Sequence, residues 1–144
     1  MSFIFCYQNM QVKKILERLK REYPGKTIIE NKNAKGITTE IICEIESTAD
    51  HADYSVAIAV IDYSTIHCHN VITETYEVVK GSLKIFKGSK EYTLSKGQNI
   101  AIKPGEIHSN LGSETWVKVT SKPGWFIEDY INLETLLKKY VPMK

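Results

Sequence analysis

The chain has 144 residues, which is the size of one domain with a single hydrophobic core. Nineteen Lys and Arg against seventeen Asp and Glu give a net charge of +2, with both signs interspersed, so no nucleic-acid partner is expected. No apolar run approaches the roughly 20 residues that cross a membrane, so no membrane partner is expected either.

The chain is expected to be cytoplasmic. Its three cysteines, Cys6, Cys43 and Cys68, show no CxxC spacing and suggest no disulfide framework. The apolar N-terminus lacks the positive region and the cleavage site of a signal peptide.

The first predicted element is an amphipathic helix over residues 10–22, with Asn9 as its N-cap and Pro24-Gly25 after its end. Its apolar residues recur at helical spacing: Val12, Ile15, Leu16 and Leu19. The basic residues on its other face are expected to be solvated. Residues 1–26 are therefore predicted to form an N-terminal strand and helix that pack on a barrel formed by residues 27–144.

Short strands separated by glycine-containing turns make up most of the remaining chain. Such strands at intervals of about ten residues are typical of an antiparallel barrel or sandwich. A last short helix, capped by Asn132, is predicted from Leu133, Leu136, Leu137 and Tyr140. The predicted strands span residues 27–30, 37–46, 54–62, 82–86, 90–94, 98–102 and 115–121.

The run over residues 67–81 concentrates potential metal ligands. His67 and His69 share a face if the segment is a strand, whereas Cys68 points the other way. Glu74 has the opposite parity and joins the histidines only if the chain turns between residues 70 and 73, as in a hairpin. Imidazole nitrogen and carboxylate oxygen together suit divalent transition metals. The alternative is a polar strand face with a solvated Glu74.

A second run, over residues 97–108, has a glycine turn, a short apolar strand, a Pro-Gly turn and then His108. His108 would supply a fourth ligand from another strand. By contrast, His51 has no ligand spacing to its neighbours and is predicted to be a surface histidine.

The two runs together resemble the motifs of the cupin superfamily. His67, His69, Glu74 and Gly81 fall on the first motif, and Gly97, Gly105 and His108 fall on the second. Three positions depart from the pattern: Ile61 replaces the leading glycine of the first motif, and Lys103 and Gly112 replace the proline and the closing asparagine of the second. None of the three is a ligand position.

The resemblance implies an all-β, single-domain antiparallel β-barrel or jelly roll. It also implies one divalent transition metal, namely Fe, Mn, Zn or Ni, bound by His67, His69, Glu74 and His108, with no other cofactor. Since cupins commonly pair their barrels, a homodimer is expected.

A metal-dependent enzyme that acts on an oxygen-rich small molecule is the favoured function. Fe(II) would suit a dioxygenase, whereas Mn(II), Zn(II) or Ni(II) would suit an isomerase, epimerase or lyase. Glu74, if not bound to metal, would be a general base. Tyr76 shares the strand parity of Glu74 and is expected either to hydrogen-bond substrate or ligand, or to be a core aromatic. The alternative function is a non-catalytic sugar-binding or small-ligand-binding module.

Aromatic residues near the C-terminus, Trp125, Phe126 and Tyr130, are expected to pack in the core. The alternative is that they line the mouth of the barrel.

Overall fold

The computed structural model describes residues 9–135, which fold into a curled antiparallel sheet of ten strands that forms a half-barrel. Each predicted strand up to residue 102 is present, with ends within two residues of the prediction. The strands are β1 (Ile28–Lys32), β2 (Thr38–Glu46), β3 (Ser55–Tyr63), β4 (His67–His69), β5 (Thr73–Lys80), β6 (Ser82–Lys87), β7 (Lys90–Ser95), β8 (Asn99–Ile102), β9 (His108–Lys122) and β10 (Tyr130–Asn132).

Strand β9 organises the sheet because it pairs along both of its edges. One edge pairs with β3, and the other pairs with β6 near its start and with β5 along its second half. Its first residue, His108, is paired directly with His67 of β4. The prediction that this strand begins at residue 115 was wrong. A bulge, marked by the positive φ of 47° at Glu114, interrupts the alternation but not the strand.

Gly112 lies at this irregularity, where β9 approaches β3 closely. A Cβ atom at this position would lie 2.6 Å from Thr115 Oγ1 and 2.7 Å from the carbonyl oxygen of Ile61. Two of the three departures from the cupin motifs, Ile61 and Gly112, therefore contact each other. An asparagine side chain would not fit at residue 112 in this packing.

The sheet has an apolar cluster on each of its faces. The inward cluster fills part of the barrel and includes Ile61, Val78, Leu83 and Ile102. The outward cluster joins helix α1 (Val12–Glu22), through Ile15 and Leu19, to the outer faces of β2 and β3. Burial of this apolar stripe is what fixes the helix on the sheet.

The helix begins two residues later than predicted, and Asn9 is not its N-cap. Gln11 occupies the cap position and makes no side-chain cap hydrogen bond. The first carbonyl to accept a helical bond is that of Gln11, from the backbone N–H of Ile15 at 3.0 Å, so Asn9 lies too far from the first turn.

Near the C-terminus, a 3₁₀ turn (Ile127–Asp129) leads into β10, which pairs with β4. Asn132 Oδ1 accepts a hydrogen bond of 3.2 Å from the backbone N–H of Thr135, which is the contact expected of the predicted cap. Most of the last predicted helix, and the predicted N-terminal strand, lie outside the described residues. None of the helices within residues 9–135 is long and apolar enough to span a membrane.

Candidate metal centre

The chain turns between β4 and β5 as predicted, and this turn brings Glu74 beside the two histidines. The turn is held by the buried carboxylate of Asp129, which is 3% exposed. Asp129 Oδ1 accepts hydrogen bonds of 3.1 Å from the backbone N–H groups of Asn70 and Val71. Its Oδ2 accepts one of 2.9 Å from the N–H of Ile72 and a second from Val71. One side chain therefore satisfies the backbone donors of the whole turn.

The four predicted ligands form one cluster. One donor atom from each of His67, His69, Glu74 and His108 lies within 4.8 Å of all the others, and all four residues are buried. Glu74 Oε1 is 3.0 Å from His69 Nε2, 3.3 Å from His108 Nε2 and 4.0 Å from His67 Nε2. Residues up to 41 positions apart in sequence thus present four donors to one point.

The orientation of each ring is set by a backbone carbonyl behind it. The Nδ1–H groups of His67, His69 and His108 donate to the carbonyls of Thr65 at 2.7 Å, Asp129 at 3.1 Å and Glu106 at 3.0 Å. A carbonyl can only accept, so each Nδ1 carries a proton and a neutral ring has its lone pair on Nε2. Nε2 of His69 and of His108 are buried, and neither makes a hydrogen bond of good geometry to any described residue, although both lie close to Glu74 Oε1. This arrangement fits a metal ion, for which histidine ligands are held in the same way.

The charges of the cluster favour an ionised Glu74. Burial opposes its ionisation, but His108 and His69 outweigh burial and hold the pKa of Glu74 well below its usual value. Burial and the neighbouring His108 lower the pKa of His67 to about 4, so this ring is neutral at physiological pH. Burial also acts against charge on His69, but the contact with Glu74 raises its pKa overall.

Tyr76 is buried next to the cluster, and its hydroxyl donates a 3.2 Å hydrogen bond to Glu74 Oε1. Burial and the negative charge of Glu74 raise the pKa of Tyr76 well above its usual value, so the phenol keeps its proton. Tyr76 combines the two roles predicted for it, because its hydroxyl bonds a ligand residue and its ring belongs to the inward apolar cluster. Cys68 is not part of the cluster, and Cys43 is buried in the outward apolar cluster.

Three residues of the cluster, His67, His69 and Glu74, line a cavity of about 840 Å³. Trp125 and Tyr130 line this cavity, as the alternative placement expects, whereas Phe126 is not among its lining residues. His51 lies elsewhere, packed on the ring of Tyr54 with a centroid distance of 4.3 Å, and its side chain is 30% exposed.

No protein-family model matches the sequence, and a search of curated proteins finds no match to it. Solved structures do match. Pac13 from Streptomyces, a nucleoside dehydratase, superposes with a TM-score of 0.64 at 16% identity over 76% of this chain and 86% of its own. Oxalate decarboxylase from Bacillus subtilis superposes with a TM-score of 0.66 at 11% identity over 82% of this chain but 35% of its own. FeII HppE gives a TM-score of 0.55 at 10% identity over 68% of this chain and 56% of its own.

The chain has the cupin fold. The matched structures are cupin-fold proteins, and the buried His-His-Glu-His cluster fits a metal-binding cupin. All three positions that depart from the cupin motifs lie outside the cluster. Ile61 and Gly112 lie where β3 and β9 approach each other closely. The backbone N–H of Lys103 donates a hydrogen bond of 2.8 Å to Glu106 Oε1.

Three residues near the cluster were not predicted from the sequence: Glu40, Asn110 and Asp129. Glu40 and Asn110 line the cavity of this cupin fold from β2 and β9, and Asp129 holds the turn after His69. Asn110 lies two residues after His108 and shares its face of β9, so strand parity offered a signal for it. No comparable signal marks Asp129, which lies 60 residues from His69 in the sequence.

Proposed function

We propose that the protein is a metal-dependent enzyme, of the lyase or isomerase type, that acts on an oxygen-rich small molecule. The observation that supports this proposal best is the set of three imidazoles, each fixed through Nδ1, whose Nε2 atoms face one carboxylate at the wall of a cavity. For an ion that takes more than four ligands, these four protein ligands would leave coordination positions for solvent or substrate, and such open positions distinguish catalytic from structural metal sites.

His67, His69, Glu74 and His108 would hold the metal, and their nitrogen and oxygen donors suit Fe, Mn, Zn or Ni. When bound, such an ion polarises a carbonyl or hydroxyl oxygen. Glu74 is a ligand rather than a free general base in this proposal, because its Oε1 is 3.0 Å and 3.3 Å from two of the imidazole nitrogens.

Residues of the chain itself supply the groups that hold or move a proton. Tyr76 keeps its phenolic proton and donates a hydrogen bond to Glu74 Oε1, which orients that carboxylate. Glu40 is a second carboxylate on the cavity wall, and burial raises its pKa to about 7. A group with a pKa near 7 is suited to give and take protons at physiological pH. Elimination and isomerisation need such transfers, and the likeness of the fold to a dehydratase agrees with this choice.

An iron-dependent dioxygenase is the second candidate, because FeII HppE has the same fold. The identity of the resident metal separates the two: manganese, nickel or zinc directs assays to sugar isomerases and lyases, and iron directs them to oxygen uptake. A homodimer in the cytoplasm remains part of the proposal.

The test is the metal-to-chain ratio of untagged protein purified without chelator, measured by elemental analysis. We expect a ratio near one, and we expect His67→Ala, His69→Ala or His108→Ala to reduce it sharply. His51→Ala is the matched control and should keep the metal, because His51 packs on Tyr54 outside the cluster. A ratio near zero that persists after reconstitution would favour the non-catalytic binding module. Loss of metal in His51→Ala with retention in His108→Ala would refute the assignment.

A further inference from the structure

The wall of the cavity beside the cluster is strongly acidic. Side chains of β2 alternate between the two faces of the sheet, and this alternation turns Glu40, Glu44 and Glu46 toward the cavity. Glu30 and Glu134 line it as well, whereas Lys32 is the only lysine or arginine among the lining residues that the structure describes.

Only one of the inward carboxylates of β2 has a basic neighbour within the described residues: Glu46 Oε1 lies 3.9 Å from His51 Nε2. Within residues 9–135, neither Glu40 nor Glu44 forms an ion pair. Glu40 Oε1 accepts a neutral hydrogen bond of 2.9 Å from Asn31 Nδ2. Carboxylates on the walls of a cleft raise the local concentration of cations and lower that of anions, because low-dielectric walls focus the field.

A second observation, independent of the charges, points to a hydrogen-bonding ligand. Asn110 lines the cavity and is only 3% exposed, yet its Oδ1 has no hydrogen-bond partner among residues 9–135. Its Nδ2 and its backbone N–H both donate to Ser64 Oγ, at 3.1 Å and 3.0 Å. If the amide were turned over, the unpaired atom would be Nδ2 instead, so one polar atom of Asn110 is without a partner in either orientation. Buried polar groups rarely lack a partner, so this atom of Asn110 is the one that a ligand or an ordered water molecule would pair with.

We infer that the cavity selects an uncharged, hydrogen-bonding ligand and rejects carboxylates and phosphates, with Glu40 as the main determinant of this selection. Asn110 supplies a hydrogen-bonding group, and the rings of Tyr63, Trp125 and Tyr130 on the cavity wall supply surface for a ring. The inference rests on the proposed function, since the selected ligand is the substrate of that metal site.

The test measures how an anionic and an uncharged reporter bind to the cobalt(II)-loaded protein. Cobalt(II) suits the same nitrogen and oxygen donors, and its visible absorption changes when a small ligand binds. Azide is the anionic reporter and imidazole the uncharged one, at about pH 8.5, where imidazole is neutral. The variant is Glu40→Gln, whose amide oxygen can still accept from Asn31.

We expect Glu40→Gln to tighten azide binding by about three- to tenfold and to leave imidazole binding unchanged, because one repulsive charge near the site is removed. Glu44→Gln removes the neighbouring inward charge and should act in the same direction by a smaller factor, which keeps the test decisive if Glu40→Gln does not fold. Glu17→Gln, on the exposed face of α1, removes the same charge outside the cavity and should change neither affinity.

Cobalt uptake with equal azide affinity in the wild type, Glu40→Gln and Glu44→Gln would overturn this inference alone. A wild-type protein that takes up no cobalt would contradict the proposed function, and this inference would fall with it.

Discussion

At the scale of single residues, Asp129 decides whether the ligands can meet. Its carboxylate accepts the backbone N–H groups of the turn after β4, and its own backbone carbonyl accepts Nδ1–H of His69. The same residue therefore shapes the turn that brings Glu74 to the histidines and sets the ring orientation of one of them.

We predict that Asp129→Asn lowers metal affinity by about 10- to 100-fold, the usual cost of losing a group that orients a ligand. The amide NH₂ would face a backbone N–H, so the free energy of unfolding should also fall by about 1–3 kcal/mol. Calorimetric metal titration and denaturant unfolding measure the two effects. Asp53→Asn, in an exposed loop, is the control and should change neither. Wild-type metal affinity in Asp129→Asn would show that the turn does not depend on this carboxylate.

Glu40 should make stability depend on pH in an unusual direction. Burial raises its pKa from the ordinary 4.5 to about 7, so the folded chain binds more protons than the unfolded chain between these values. Stability from this group is therefore present below about pH 4.5 and lost as the pH rises through 7.

Glu40→Gln removes this titration. We predict that the variant, without metal, is about as stable as the wild type near pH 4.5 and more stable by about 1–3 kcal/mol near pH 8. Denaturant unfolding of both proteins across this range gives the difference between their free energies of unfolding. Groups that titrate alike in the two proteins do not contribute to this difference. A difference that stays constant with pH would mean that Glu40 ionises as freely in the folded chain as in the unfolded one.

At the scale of elements, the close approach of β3 and β9 is a structural requirement for the cluster. The bulge near Gly112 lets one strand pair with β6 and β4 at its start and with β5 beyond it, which places His108 opposite His67. Without this bulge β9 would not bend, and it would lose its pairing either with β4 and β6 or with β5.

We predict that Gly112→Ala destabilises the fold by about 1–3 kcal/mol, because its Cβ would overlap the carbonyl oxygen of Ile61 and the hydroxyl of Thr115. Thermal and denaturant unfolding measure the change. Ser113→Ala, at the exposed neighbouring position, should be nearly neutral. Equal stability of Gly112→Ala and the wild type would show that the two strands separate without cost.

The strands could be predicted from the sequence where glycine-containing turns separate them. Glycines with positive φ, such as Gly81, Gly88 and Gly97, end or begin strands at the positions predicted for them. The start of β9 was not predictable, because a bulge breaks the period of two without ending the strand. The cap of α1 was mispredicted because the helix is held by its buried apolar face and not by a cap.

At the scale of the whole molecule, the cluster could be predicted and the cavity could not. The ligands lie in two short motifs with fixed spacing. The resemblance of these motifs to those of cupins was therefore sufficient to predict that His67, His69, Glu74 and His108 form one site. Side chains of several strands form the acidic wall of the cavity. The charge of this wall therefore depends on which face of each strand points inward. A shift of one residue in register would reverse that face, and no spacing in the sequence determines it.

The central claim is that three imidazoles and one carboxylate bind a metal ion, and X-ray absorption at the metal edge tests it most directly. The structure predicts the scattering pattern of three imidazole rings with oxygen donors completing the shell, and no sulfur. A sulfur shell at about 2.3 Å would indicate a cysteine ligand. That result, or a spectrum with fewer than three imidazoles, would contradict the account.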